Sequence, residues 1–235
     1  MKNNEILVKD LGVLSYDKSW EHQKRIFDNI VSQKINNRTL KKKIKTENHL
    51  LIVEHKPIYT IGKSGEISNL LLDDQELKLK GIDFKKINRG GDITFHGLGQ
   101  IVGYPILDLD NFFTDIGLYL RTLEEVIIST IGFFGIKGFR IDGETGVWVK
   151  DESNSLKKIC AFGIKASRWV TMHGFALNVN TDLTYFDNIV PCGISDKGVT
   201  SLQEILNQKI AIKTVKEKLY ENIARLFNAE LSMTN

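Results

Sequence analysis

Two cysteines, five histidines and one glycine-rich arginine segment carry most of the reactive chemistry of this 235-residue chain. Cys192 stands in Ile189-Val190-Pro191-Cys192-Gly193, between a proline and a glycine. That setting reads as an accessible loop. Cys160 sits instead in the apolar run Ile159-Cys160-Ala161-Phe162, which reads as a strand. A cysteine attacks as its thiolate. With an unperturbed pKa of about 8.5, only a few per cent is ionised near neutrality. A neighbouring ammonium favours the anion by Coulomb attraction, more strongly where water is excluded. Lys158 precedes the apolar run directly, and Lys157 and Lys165 are its alternatives. Period-two alternation puts Lys158, Cys160 and Phe162 on one face. A Lys158 that faces a site would therefore bring Cys160 toward it.

The second constellation is Arg89-Gly90-Gly91-Asp92-Ile93-Thr94-Phe95-His96-Gly97-Leu98-Gly99-Gln100, followed by the apolar run Ile101-Val102-Gly103-Tyr104-Pro105-Ile106-Leu107. Glycine costs backbone entropy, so four of them beside a strand suggest a close approach to the main chain. A glycine-rich turn between two strands is the plain alternative. Arg89 is suited to bidentate binding of a carboxylate or phosphate, and equally to locking the loop through Asp92 or Asp108. His96 and His173 each precede a glycine. Each is read as a carbonyl polariser, a proton shuttle or a polar pocket wall.

These segments, with Lys157-Lys158-Ile159-Cys160-Ala161-Phe162-Gly163, His173-Gly174-Phe175-Ala176-Leu177-Asn178-Val179-Asn180, Pro191-Cys192-Gly193-Ile194 and Val199-Thr200-Ser201-Leu202, follow one another in a recognisable order. The pattern resembles that of the lipoyl(octanoyl) transferases, the LipB-type enzymes of protein lipoylation. It spans about His55 to Leu202. One departure is Leu98, where the family pattern has proline. The resemblance implies the biotin/lipoate protein ligase catalytic fold and a two-step acyl transfer without a cofactor. Cys192 would take octanoyl from octanoyl-acyl carrier protein. The lysine of a lipoyl domain, on a 2-oxoacid dehydrogenase E2 subunit or glycine cleavage H protein, would then take it as an amide. Lys158 matches the family's catalytic lysine, and would stabilise the thiolate and then help deprotonate the amine. Arg89, Gly90, Gly91, Asp92, Ile93, Thr94, Phe95, His96, Ala161, Phe162, Gly163, His173, Gly174, Phe175 and Ala176 would line the acyl site. Gly163, Gly174 and Ala176 would leave room, with Phe162 and Phe175 as apolar walls.

The nearest rival is the ATP-dependent lipoate ligase of the same fold. His96-Gly97-Leu98-Gly99-Gln100 and Cys192 follow the transferase pattern, and no ligase-type accessory domain is expected after Asn235. A non-catalytic carrier-protein-binding module would explain a basic run and an apolar pocket, but not Lys158 with Cys192. A cysteine hydrolase would have to let water compete with amines.

Composition supports a single globular domain over 1–235: 42% hydrophobic, 26% charged, net charge +3. No apolar run approaches the roughly 20 residues that span a bilayer. The N-terminus lacks a signal-peptide core, so a cytoplasmic monomer without membrane or nucleic-acid partners is expected. Neither cysteines nor histidines have metal-site spacing. Arg38 and Lys41-Lys42-Lys43-Ile44-Lys45 form the densest basic run, a solvated face or a landing site for an acidic partner. Periodicity predicts strands at 6–11, 50–54, 101–107, 146–150, 158–164 and 174–179. It predicts helices at 17–32, 118–131 and 212–227, with a capping box at 200–204 opening a short one. Strands grouped centrally among helices indicate an α+β class with a mixed or largely antiparallel sheet.

Overall fold

The computed structural model describes residues 2–41, 44–190 and 198–234. The chain starts with β1 (Glu5–Leu14), α1 (Tyr16–Thr39), β2 (His49–His55) and β3 (Ile58–Ile61). Then come α2 (Asp74–Lys80), β4 (Asp83–Lys86), β5 (Ile93–His96), β6 (Gln100–Ile106) and α3 (Ile116–Gly132). β7 (Phe139–Ile141), β8 (Glu144–Lys150), β9 (Leu156–Ser167) and β10 (Val170–Asn178) form consecutive hairpins. β11 (Gly198–Val199), α4 (Leu202–Leu206), α5 (Ile212–Phe227) and β12 (Glu230–Met233) end it.

The large sheet runs β12-β1-β2-β6-β10-β9-β8-β7, with β11 alongside β9. β1 is parallel to both neighbours and β11 is parallel to β9, while the other pairings are antiparallel. The mixed, largely antiparallel sheet is therefore as expected. Its two faces are covered differently. α3 and α5 pack on one, over Leu50, Ile52, Ile101, Leu123, Ile127, Leu177 and Leu219. Full burial of each such side chain contributes about 1.5–3 kcal/mol. α1 covers part of the other through Phe27 and Ile30 against Leu51, Val53, Val102 and Tyr104.

Hydrophobic spacing located α3 and α5, whose stripes face each other. Asp115 caps α3 by accepting the Leu118 N–H at 2.9 Å. Gly132 is the last helical residue rather than the stop, and the left-handed turn falls at Gly135. α1 runs seven residues past its expected end. Its last turns lack an apolar stripe and are held by tertiary tethers instead. Lys34 reaches Asp108, and Asp110 at 2.7 Å, and Gln33 donates to the Lys45 carbonyl at 2.8 Å.

A three-stranded sheet, β4-β3-β5, has its own core of Tyr59, Ile61, Leu77, Ile82, Phe95 and Ile189. Sequence analysis read 89–100 as a loop, yet 93–96 is a strand paired with β3. The segment alternates Ile93 and Phe95 inward, which is enough to make it a strand once β3 is beside it.

Candidate active site

A cavity of about 320 Å³ opens on the α1 face of the large sheet. β6 contributes Gln100, Val102 and Tyr104, and β10 contributes Gly174, Ala176 and Asn178, each set at every second residue. Of the residues expected at the acyl site, Arg89, Gly91, Asp92, Ile93, Thr94, His96, Ala161, Phe162, Gly163, His173, Gly174, Phe175 and Ala176 line it, and so does the expected catalytic Lys158. Two do not. Phe95 points into the small sheet's core and stacks on Tyr185 with ring centroids 4.4 Å apart. Gly90 acts through its backbone, donating to the Ile164 carbonyl at 2.9 Å. Cys192 lies in 191–197, outside the described residues. β11, where the description resumes, pairs with Lys157 and Lys158, and the Thr200 N–H donates to the Lys158 carbonyl at 3.0 Å.

The alternation difficulty at Lys158 and Cys160 is resolved by a bulge. Trp148 on β8 opposes Lys158, and the next residue, Val147, opposes Cys160. Ile159 is thus one residue too many, which breaks the period of two. Lys158 stays on the cavity side, while Ile159 and Cys160 both enter the core under α3 and α5. Burial pushes the Cys160 thiol well above its ordinary value. A neutral, enclosed thiol is inert. The other lysines weighed, Lys157 and Lys165, do not line the cavity. Lys157 lies 3.9 Å from Asp151, and Lys165 lies 5.0 Å from the Phe27 ring centroid.

The cavity's polar wall is a continuous network. Gln100 donates its amide to the Phe95 carbonyl at 3.1 Å and to Asn178 Oδ1 at 2.9 Å. Its own oxygen must therefore accept, so His96 carries its proton on Nδ1, 2.9 Å away. That leaves His96 Nε2 as an acceptor facing the Thr60 hydroxyl at 3.4 Å. Arg89 donates to that hydroxyl at 3.0 Å and to the Thr60 carbonyl at 2.7 Å. At the other end Asn178 donates to the Thr200 carbonyl at 3.0 Å. The network thus runs from Arg89 to the segment that follows β11. Arg89 locks the glycine loop to β3. Asp92 is held by Asn69 at 2.7 Å and Asp108 by Thr46 at 2.7 Å and by Lys34.

Burial lowers His96 and His173 to about 3 and His55 to about 4. All three are neutral at neutral pH; His96 and His173 line the cavity, and His55 sits beside His96 with ring centroids 5.7 Å apart. His55 donates from Nδ1 to the Leu14 carbonyl at 3.0 Å, and Tyr104 donates to its Nε2 at 2.7 Å. His173 adopts φ +61°, an uncommon conformation for a residue with a Cβ. Its N–H donates to Gln23 on α1 at 3.2 Å, and its ring is turned into the cavity.

Gly163 and Gly174, which line the cavity, also make room for neighbouring chain. A Cβ on Gly163 would lie 2.8 Å from Arg89 Cδ and the Gly90 carbonyl oxygen. One on Gly174 would lie 2.1 Å from the Gly103 carbonyl oxygen. Both admit neighbouring main chain and side chain, while Ala176 remains the small residue facing the cavity. Gln100 was singled out in the glycine-rich segment, but none of Gln100, Tyr104, Asn178 and Tyr16 was expected among the residues lining the acyl site. The alternation of β6 and β10 carries the signal for the first three. Tyr16 reaches the cavity from α1, and only the packing of α1 on β10 shows it.

Among the described residues no group of three or more acidic, histidine or cysteine side chains is arranged to hold a metal ion. No helix among them is long and apolar enough to cross a membrane. Residues 15–224 match the model of the lipoyl protein ligase A/B catalytic domain. The chain is 57% identical over 230 residues to an octanoyltransferase of Christiangramia forsetii, covering 97% of this chain and 98% of the relative. It is 55% identical over 230 residues to an octanoyltransferase of Flavobacterium johnsoniae, covering 97% and 99%. The fold is similar to the bi-partite lipoate protein ligase of Thermoplasma acidophilum, with a TM-score of 0.71 and 15% identity, covering 100% and 88%. By this match, over nearly its whole length, the chain belongs to the lipoyl protein ligase A/B catalytic-domain family.

Proposed function

We propose that this chain, as one catalytic domain over 1–235, transfers octanoyl from acyl carrier protein to the lysine of a lipoyl domain through a thioester on Cys192. It is an acyltransferase of protein lipoylation, like the octanoyltransferases it matches at 55–57% identity. The observation that carries the residue assignment is Lys158: a lysine on the wall of an otherwise largely apolar cavity, with Cys160 turned away from it.

In the first step the Cys192 thiolate attacks the thioester carbonyl. A carbon–sulfur bond to the enzyme forms, and the carrier leaves as its thiol after taking a proton. In the second step a lysine ε-amine attacks the enzyme thioester. The amide forms, the amine loses a proton and Cys192 is released. Lys158 holds the thiolate as a cation in the first step and relays a proton in the second. The apolar cavity holds the acyl chain against Ala176, Phe162 and Phe175, while the neutral wall of His96 and His173 adds no competing charge. The same reading includes a monomeric, cytoplasmic enzyme without a cofactor. Its acceptors are the lipoyl domains of 2-oxoacid dehydrogenase E2 subunits and the glycine cleavage H protein. The identity to octanoyltransferases favours carrier-bound donor over free acid and ATP. The discriminating experiment offers the purified enzyme either octanoyl-acyl carrier protein or octanoate with ATP, together with a lipoyl domain. Octanoyl amide should form with the first donor alone. Formation only with the second would overturn the proposal.

A further inference from the structure

We infer that Trp148 and Gly146 on β8 form a cradle that holds Lys158 in place and aims it into the cavity. The inference rests on Lys158 being the cation of the proposed transfer. Lys158 Nζ lies 4.6 Å from the centroid of the Trp148 ring. The two residues are direct cross-strand partners, and Trp148 is buried. The negative face of an indole attracts an ammonium and not a neutral amine, and the attraction grows as water is excluded. The ring therefore holds the charged end of Lys158 against β8.

Gly146 supplies the space. A Cβ there would lie 3.1 Å from Lys158 Cε and 3.2 Å from the Cys160 carbonyl oxygen, at a φ of +147° that favours glycine. The lysine stem thus lies close over a residue without a side chain and reaches the ring two positions along the same strand. The cradle is anchored from the far side of the sheet by Glu124 on α3, which is fully buried. Its Oε1 accepts the Gly146 N–H at 3.0 Å, while its Oε2 is paired with Arg121 at 3.0 Å and Arg140 at 3.1 Å. The mechanism has no other use for this carboxylate. The bulge at Ile159 completes the arrangement, because without it Lys158 and Cys160 would share a face. Trp148 is accordingly a positioning residue, acting through Lys158.

The test reads Lys158 directly. Lysines of the full chain are reductively methylated with a carbon-13 label, and the Lys158 signal is assigned from its loss in Lys158→Ala. In the wild type the signal should be displaced upfield by the indole ring current. The displacement should vanish in Trp148→Met, which fills similar space without a ring. Trp148→Phe should keep part of the displacement. Gly146→Ala, which leaves the ring in place, should lose it by pushing the stem aside. Turnover at neutral pH should fall about two- to fivefold in Trp148→Met, the loss of one cation–π contact. A wild-type signal position in both Trp148→Met and Gly146→Ala would overturn the cradle. Should Trp148→Met fail to fold, Trp148→Phe and Gly146→Ala decide by the same signal. Unchanged turnover in Lys158→Ala would instead remove the catalytic role of Lys158, and the resonance would still report on the cradle.

Discussion

The two faces of the β6–β10 pair are built on opposite rules. Toward α3 and α5, Ile101 and Leu177 bury hydrocarbon in a dry core with Val147, Ile159 and Cys160. Toward the cavity, Gln100, Tyr104 and Asn178 are equally buried, yet each carries polar atoms with named partners. The dry face tolerates exchange of one apolar group for another of similar size. The polar face is all-or-none, because removal of one member leaves several buried groups unpaired. The candidate site lies on the face where substitution is most costly.

The sharpest way to break this contrast sets Lys158 against Cys160, two residues apart on either side of the bulge. Lys158→Ala should lower kcat for octanoyl transfer about a hundredfold or more and leave the melting temperature nearly unchanged. Cys160→Ala should keep kcat within about twofold while costing about 1 kcal/mol in a urea titration. Equal kinetic effects of the two would show that the bulge does not separate catalysis from core.

The next test uses pH. His96 and His173 of the cavity wall and His55 beside them are neutral in the fold, at about 3, 3 and 4, against an unfolded value of 6.5. Below pH 6.5 the unfolded chain gains protons that the folded chain does not. Stability should therefore fall with pH, by about 1.4 kcal/mol per pH unit for each histidine. The fall should continue until pH approaches about 4, where His55 begins to titrate in the fold. Urea titrations at pH 7, 6 and 5 measure it, and His96→Gln should flatten the slope by about a third. A curve that is level over that range would contradict the neutral wall.

Gln100 and Ile101 compare the faces at adjacent positions. Gln100→Leu strands His96 Nδ1, the Phe95 carbonyl and Asn178 Oδ1, and should cost about 2–3 kcal/mol. Ile101→Val, on the dry face, should cost about 1 kcal/mol. Similar costs by thermal denaturation would erase the distinction.

The smallest effect is expected at the surface. Lys42 and Lys43 lie outside the described residues, while Arg38 closes α1 and Lys41 follows it. Charge reversal at Lys41, Lys42 and Lys43 should raise KM for octanoyl-acyl carrier protein a few-fold and weaken its salt dependence. Turnover of a small octanoyl thioester should be unaffected. An equal response to both donors would rule out docking there.

Local pattern revealed most of the large sheet and the helices that pack on it. The apolar spacing of α5 placed both its ends, because that helix is decided by its own stripe. Only the N-cap half of the box read at 200–204 is formed: the Glu204 N–H donates to Ser201 Oγ at 3.1 Å, while the Glu204 carboxylate takes the Thr200 hydroxyl instead of the Ser201 N–H. What sequence did not reveal depends on contacts distant along the chain. β5 is a strand because β3 pairs with it, and Phe95 leaves the site because Tyr59 and Tyr185 receive it. The bulge at Ile159 cannot be seen in a rule of period two. Neither can the left-handed His173, whose N–H is taken by Gln23 from a helix 150 positions earlier. The motif residues were found in sequence, but their division between cavity wall and main-chain packing was not.

The most direct test is peptide mass spectrometry of enzyme mixed with octanoyl-acyl carrier protein and quenched before acceptor is added. One octanoyl group should be found on the peptide carrying Cys192, discharged to amide on addition of a lipoyl domain, and absent in Cys192→Ala. An adduct on Cys160, or normal labelling and turnover in Cys192→Ala, would contradict the account.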